Sequence, residues 1–413
     1  MPDISPVDDF EEEALPPDVQ ELVAPEVLEY APWHRPRKQY VRQKQWVRHT
    51  VGIVKKLKEL GYFGHGTPLK YLTLPGPDLL DISLVTDVCT QEGVQIRYTG
   101  FCLADEKEES RLRRNLNEFG IQRQEAVFGG SKIVNSKIED VAIRRSDARV
   151  AMEQGGPFDI VNIDACEPIA NGHDTTGSLV QAIRAIAEYQ LAATRTPWIL
   201  CLTTPIQTES ISAASLGALH GQIIANANSD KRFADELAEL LVSEGAGIDD
   251  LLKTACAQNG TNLVRVFSLG LSKWLIHMAE QANFAVKKLD GYCYSMFKRP
   301  PHLPNMVSLC FLFEPQAIRI EDKSGLTRNP VVQITTQPIS DHIRALRRSF
   351  GVANIDEILV GNQELFEAMV NETKELLRSV GYPVDDPVLG YDAWLAAQPT
   401  YDPSLEADEA AIV

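Results

Sequence analysis

Two polar residues at the end of the largely apolar segment Phe158–Asp164 (FDIVNID), Asn162 and Asp164, are the first candidates for chemistry. An amide at Asn162 and a carboxylate at Asp164 in a buried strand carry a desolvation cost, so both are read as serving a bound molecule. Asp164 could orient a polar group or accept its proton, and Asn162 could hold the loop or a polar group beside it. Further acids stand just past apolar runs: Asp105 and Glu106 after VQIRYTGFCL, Glu139 and Asp140 after Lys132–Ile138. These acids also have bland readings, because carboxylates favour the start of a following helix and Asp orders loops through Asx turns. Asp164, Glu167, His173 and Asp174 lack the spacing of a closed divalent-metal site, so no metal is expected.

A second group is basic. His34–His49 (HRPRKQYVRQKQWVRH) holds six bases, no acids, and the aromatics Tyr40 and Trp46. Arg35, Arg37, Lys38, Arg42 and Lys44 could grip phosphates while the rings stack on bases, which makes nucleic acid a candidate partner. The alternative is an amphipathic helix lying on the body with its cations in water. The net charge of −17 does not decide between them. Ten acids without a base fall in residues 1–29 and seven in residues 385–413, and removing them leaves forty acids against forty bases. Both acidic ends carry prolines and little periodicity, and read as solvating tails.

The elements that must position these residues follow from hydrophobic patterning. With 413 residues, 44% of them hydrophobic, the chain can bury a large core. No apolar run approaches the roughly 20 residues of a membrane span, and the acidic start is no signal segment, so a cytoplasmic protein is expected. Seven cysteines without a CxxC pair fit reduced thiols. From Lys70, short apolar runs alternate with helical stretches, the pattern of βαβ units. Strands are expected at Lys70–Leu74, Val94–Leu103, Lys132–Ile138, Phe158–Asp164 and Pro197–Thr203, then helices from Ile206 to Leu289, one of them Thr261–Lys288. The runs Gly291–Phe297 and Asn305–Phe313, joined by a short proline-rich link, must pair antiparallel. An edge strand at Val331–Thr336 and helices Ser340–Phe350 and Asn354–Val380 complete the set. The stripe Leu263, Val266, Phe267, Leu271, Trp274, Leu275 and Met278 is expected in the core, with burial of a second copy in a homo-oligomer as the alternative.

This order of elements, with acids at the strand ends, resembles the class I S-adenosylmethionine-dependent methyltransferases over Lys70–Phe313, the helical insertion excepted. The resemblance implies an α/β fold, a Rossmann-like mostly parallel sheet ending in an antiparallel hairpin, with a helical insertion and C-terminal helices. It implies S-adenosylmethionine as cofactor and S-adenosylhomocysteine as product. Leu74, Gly76 and Asp78 match the cofactor loop, Asp105 or Glu106 the ribose carboxylate, and Glu139 and Asp140 the acids near adenine. Asn162 and Asp164 match the positions facing the methyl group and its acceptor. The loop departs from the family in having one glycine, Gly76, between two prolines. A catalytically inactive scaffold or nucleic-acid-binding subunit is therefore the alternative. No G-x-G-x-x-G or GK[ST] follows a strand, and no DPPY, NPPY or Pro-Cys signature names the acceptor. The basic arm favours a nucleic acid or nucleotide-bearing substrate. The expected layout is an acidic tail (1–29), a basic arm (30–66), a methyltransferase-like domain (67–315, insertion 206–290), a C-terminal α/β extension (316–384) and a second acidic tail (385–413).

Overall fold

Eight short runs, most of them rich in β-branched and aromatic residues, pair into one sheet: β1 (Leu69–Thr73), β2 (Ile96–Phe101), β3 (Lys132–Val134), β4 (Ile160–Asp164), β5 (Trp198–Pro205), β6 (Phe284–Tyr294), β7 (Met306–Pro315) and β8 (Ala353–Asn354). The computed structural model describes residues 28–103, 108–171, 178–241, 247–296, 303–316 and 340–398. The strand order is β3-β2-β1-β4-β5-β7-β6-β8. The first five strands are parallel, β7 runs antiparallel between β5 and β6, and the two-residue β8 joins β6 in parallel. All eight residues of β5 are buried, as expected of a central strand covered on both faces. The α/β class and the closing hairpin are as the sequence pattern implies.

Alternation along the strands sends side chains to two cores. On one face Leu72, Val161, Ile163, Leu200 and Phe311 pack under helices Leu179–Ala193 and Thr261–Gln281. Trp198 is fully buried and stacks on Phe313 at 4.0 Å. The insertion stripe goes inward here: Leu263, Val266, Phe267, Leu271 and Leu275 are core, with Trp274 and Met278 partly buried beside them. On the other face Tyr71, Tyr98, Ile160 and Ile199 meet Val41, Trp46, Ile53, Val54 and Leu57 of the N-terminal helix. That helix runs Pro36–Val41, passes through a wider π-helical stretch at Arg42–Val47, and continues as Arg48–Glu59.

Several boundaries differ from expectation for identifiable reasons. The helix expected over Thr261–Lys288 stops at Gln281, because Asn283 adopts a left-handed conformation (φ 59°), and the alternating segment from Phe284 enters β6. The helix expected over Asn354–Val380 is two, Ile355–Val360 and Gln363–Ser379, the first ending at Gly361. The strand expected at Val331–Thr336 lies outside the described residues. The acidic stretch beyond Asp385 is anchored at one point: Tyr391 is fully buried and donates from its hydroxyl to the carbonyl of His34 at 2.6 Å, while residues 386–389 are exposed. Tyr30 stacks on Tyr382 at 5.3 Å between ring centres, so the first and last described segments share one aromatic cluster. Among the described residues, no helix is long and apolar enough to cross a membrane.

Candidate functional site

The strand order reverses between β1 and β4, and at the carboxyl ends of these strands an open α/β sheet leaves a crevice. A cavity of about 970 Å³ occupies this place. Pockets that enclose small molecules span roughly 300–1,000 Å³. Its walls come from the loop Leu74–Leu80, from Phe101 and Leu103 after β2, from Ser136–Asp140 after β3, and from Asp164–Glu167 after β4. Met296 and Met306 close one side, and Lys38, Arg42 and Trp46 of the N-terminal helix another.

The loop after β1 makes its turn without the usual glycines. Its left-handed residue is Leu79, at φ 53°, and this conformation costs a non-glycine residue on the order of 1 kcal/mol. Leu79 is fully buried, which offsets the strain. Gly100 of β2 supports the same loop from below. A Cβ at Gly100 would sit 3.0 Å from Cγ of Pro75 and 2.5 Å from Cδ1 of Ile133. Gly100→Ala is expected to destabilise the protein by about 1–3 kcal/mol and to press Pro75 towards the cavity. Thermal unfolding, with ligand binding read alongside, checks this; an unchanged melting temperature would mean that Ile133 and Pro75 yield freely.

Three of the carboxylates that line the cavity have donors of their own. Asp78 faces His34 Nε2 at 3.3 Å, forms an ion pair with Arg113, and accepts from the Tyr382 hydroxyl at 3.1 Å. Burial pushes this carboxyl up, but the His34 hydrogen bond and the Arg113 charge hold it below its ordinary value. Asp81 accepts from the Tyr71 hydroxyl at 2.9 Å and from Thr73, and burial raises its pKa. Asp164 is paired with Lys38, whose Nζ also lies 4.7 Å from the centre of the Trp46 ring. Burial lowers the pKa of Lys38, partly countered by Asp164.

Of the residues expected to act, the cavity brings together Leu74, Gly76, Asp78, Glu139, Asp140 and Asp164, and with them Lys38 and Arg42. Asp105 and Glu106 lie outside the described residues; in sequence they follow Leu103, which lines the cavity. Asn162 does not line the cavity: it is buried in β4, where its amide donates to the Tyr71 hydroxyl at 3.0 Å. The basic arm is not arranged as a solvent-facing cationic strip. Arg35 is buried and donates to the Met296 carbonyl at 3.1 Å and to Gln398 at 2.7 Å, while Arg37 pairs with Asp356. Lys44 is exposed, and Arg48 at the surface pairs with Asp290 at 2.6 Å. Both sequence alternatives for the arm placed its cations at the surface, and most of them instead face the protein interior. Asp81 and Trp46 were missed as cavity residues. The available signal was Lys38, Arg42 and Trp46 at four-residue spacing, which puts them on one helix face.

The model of the PP_RS20740-like family matches residues 27–396. No curated protein matches the sequence. Among solved structures, the crystal structure of the 23S rRNA methyltransferase ErmE is similar at 10% identity and a TM-score of 0.26, over 65% of this chain and 68% of that one.

Proposed function

Because the chain belongs to the PP_RS20740-like family, a name that carries no reaction, we propose from the cavity itself that it is an S-adenosylmethionine-dependent methyltransferase. The observation that carries this is the position of the cavity at the β1/β4 reversal of a sheet whose seventh strand runs antiparallel between the fifth and sixth. The lining fits a nucleoside joined to an amino acid: Phe101, Leu103 and Ile138 offer an apolar wall for a flat ring, and Glu139 and Asp140 offer acceptors for its amine. Asp105 and Glu106, next to this wall in sequence, are the candidates for the ribose hydroxyls. S-adenosylmethionine, when bound, supplies an electrophilic methyl carbon. Asp164 orients the acceptor and takes its proton where one must leave, and Lys38 holds that carboxylate in place. The loop Leu74–Leu79 and the arm keep water out, since alignment rather than acid-base strength supplies most of the rate in such a transfer.

Burial of Arg35, Lys38 and Arg42 favours an acceptor small enough to enter the cavity over one gripped along the arm. Calorimetric titration with S-adenosylmethionine and S-adenosylhomocysteine tests the cofactor. Micromolar binding is expected, weakened about 100-fold in the Asp105→Ala, Glu106→Ala double variant, as the loss of two charge-assisted hydrogen bonds implies. A folded protein that binds neither compound at millimolar concentration would leave the inactive-scaffold reading standing.

A further inference from the structure

Arg42 is only 4% exposed, lines the cavity, and its Nε and Nη1 have no hydrogen-bond partner among the described residues. Three acids that line the same cavity are engaged elsewhere: Asp164 by Lys38, Asp81 by Tyr71 and Thr73, Asp78 by His34, Arg113 and Tyr382. A guanidinium withdrawn from water with open N–H groups is costly unless a ligand completes it. One helical turn on, Trp46 lines the same cavity, and its buried indole N–H is likewise without a partner among the described residues. The helix thus places a charged planar fork and a neutral donor at the border of one cavity, a combination suited to a carboxylate or phosphate.

We propose that Arg42, with Trp46 beside it, forms an oxyanion subsite that fixes a carboxylate or phosphate group of the ligand held in this cavity. This deepens the methyl-transfer reading and rests on it in one respect: the oxyanion belongs either to the amino-acid end of the cofactor or to the acceptor.

The full-length wild type, Arg42→Met and Arg42→Lys are titrated with S-adenosylhomocysteine, with methylthioadenosine, which keeps the nucleoside and lacks the carboxylate, and with pyrophosphate. A loss of about 10- to 100-fold for S-adenosylhomocysteine in Arg42→Met, with methylthioadenosine unchanged, assigns the subsite to the cofactor carboxylate. Unchanged S-adenosylhomocysteine affinity with pyrophosphate binding lost assigns it to an anionic acceptor. Equal binding of all three probes by wild type and Arg42→Met overturns the proposal while leaving methyl transfer untouched. A wild type that binds no S-adenosylhomocysteine removes the methyl-transfer reading, and pyrophosphate then decides alone: loss on substitution supports the subsite, and no loss or no binding overturns it. Arg42→Lys keeps the charge and loses the fork, so it is expected to fall between the two and to report even if Arg42→Met folds poorly.

Discussion

Asp164→Ala is expected to destabilise the protein by about 3–5 kcal/mol near neutral pH, the usual cost of removing one partner of a buried ion pair. The side chain of Lys38 is 2% exposed and that of Asp164 25%, so the two deletions are unequal. Without Asp164 the ammonium has neither water nor a counter-charge. Without Lys38 the carboxylate still touches solvent, and Lys38→Met should cost less. Burial already lowers the pKa of Lys38, and losing the carboxylate lowers it further. The folded variant then sheds the proton that the unfolded chain keeps up to about pH 10.4. Where the unfolded state binds more protons, stability rises with pH, and the variant enters that range at lower pH than the wild type, so the deficit is largest near neutral pH and closes as pH rises through the lowered folded value of Lys38 in the wild type. Urea unfolding at neutral and alkaline pH measures this directly, and Lys38→Met combined with Asp164→Leu should recover most of the loss. A deficit that stays constant with pH would mean that Lys38 is not the residue left stranded.

The parts of this site that were legible in the sequence are those fixed by strand chemistry. Apolar runs that end in acids place Glu139, Asp140 and Asp164 at carboxyl ends, and the βαβ order with its closing hairpin brings those ends to one edge of the sheet. What stayed hidden depends on which way a helix faces. A run such as HRPRKQYVRQKQWVRH is ordinarily solvated, and nothing local says that Lys38 and Arg42 turn inward. Lys38 is compensated by Asp164 and Arg42 borders the cavity, and both Asp164 and the cavity's other walls are distant in sequence. The turn after β1 was equally silent, because burial of Leu79 offsets a strain that sequence reading associates with glycine. The acids at Asp385, Asp386 and Asp392 suggested a solvated end, whereas Val384 just before them and Tyr391 among them pack with Leu376, Leu377 and Tyr382.

Asp78→Ala is the second large effect expected, again about 3–5 kcal/mol, since it removes the one acceptor shared by three chain segments. His34 comes from the N-terminal arm, Arg113 from helix Glu108–Gln122 and Tyr382 from the C-terminal region. Arg113 also lies 4.6 Å from the centre of the Tyr382 ring, so losing the carboxylate leaves a cation and a hydroxyl facing each other without their common partner. The folded pKa of Asp78 is lowered, because its donors outweigh the effect of burial. Its stabilisation is therefore present above the unfolded carboxyl value of about 3.9 and fades as pH falls through the lower folded value, so wild type and variant should converge in strong acid. Asp78→Asn keeps an acceptor for Tyr382 and loses the charge, and should lie between them. Hydrogen exchange locates the effect: protection should fall first in Tyr382–Ala396 and Tyr30–Arg35, the two segments that meet at this point, before it falls in β4 and β5. An even loss across the sheet would show that Asp78 contributes global stability without clamping the two ends of the chain over the cavity.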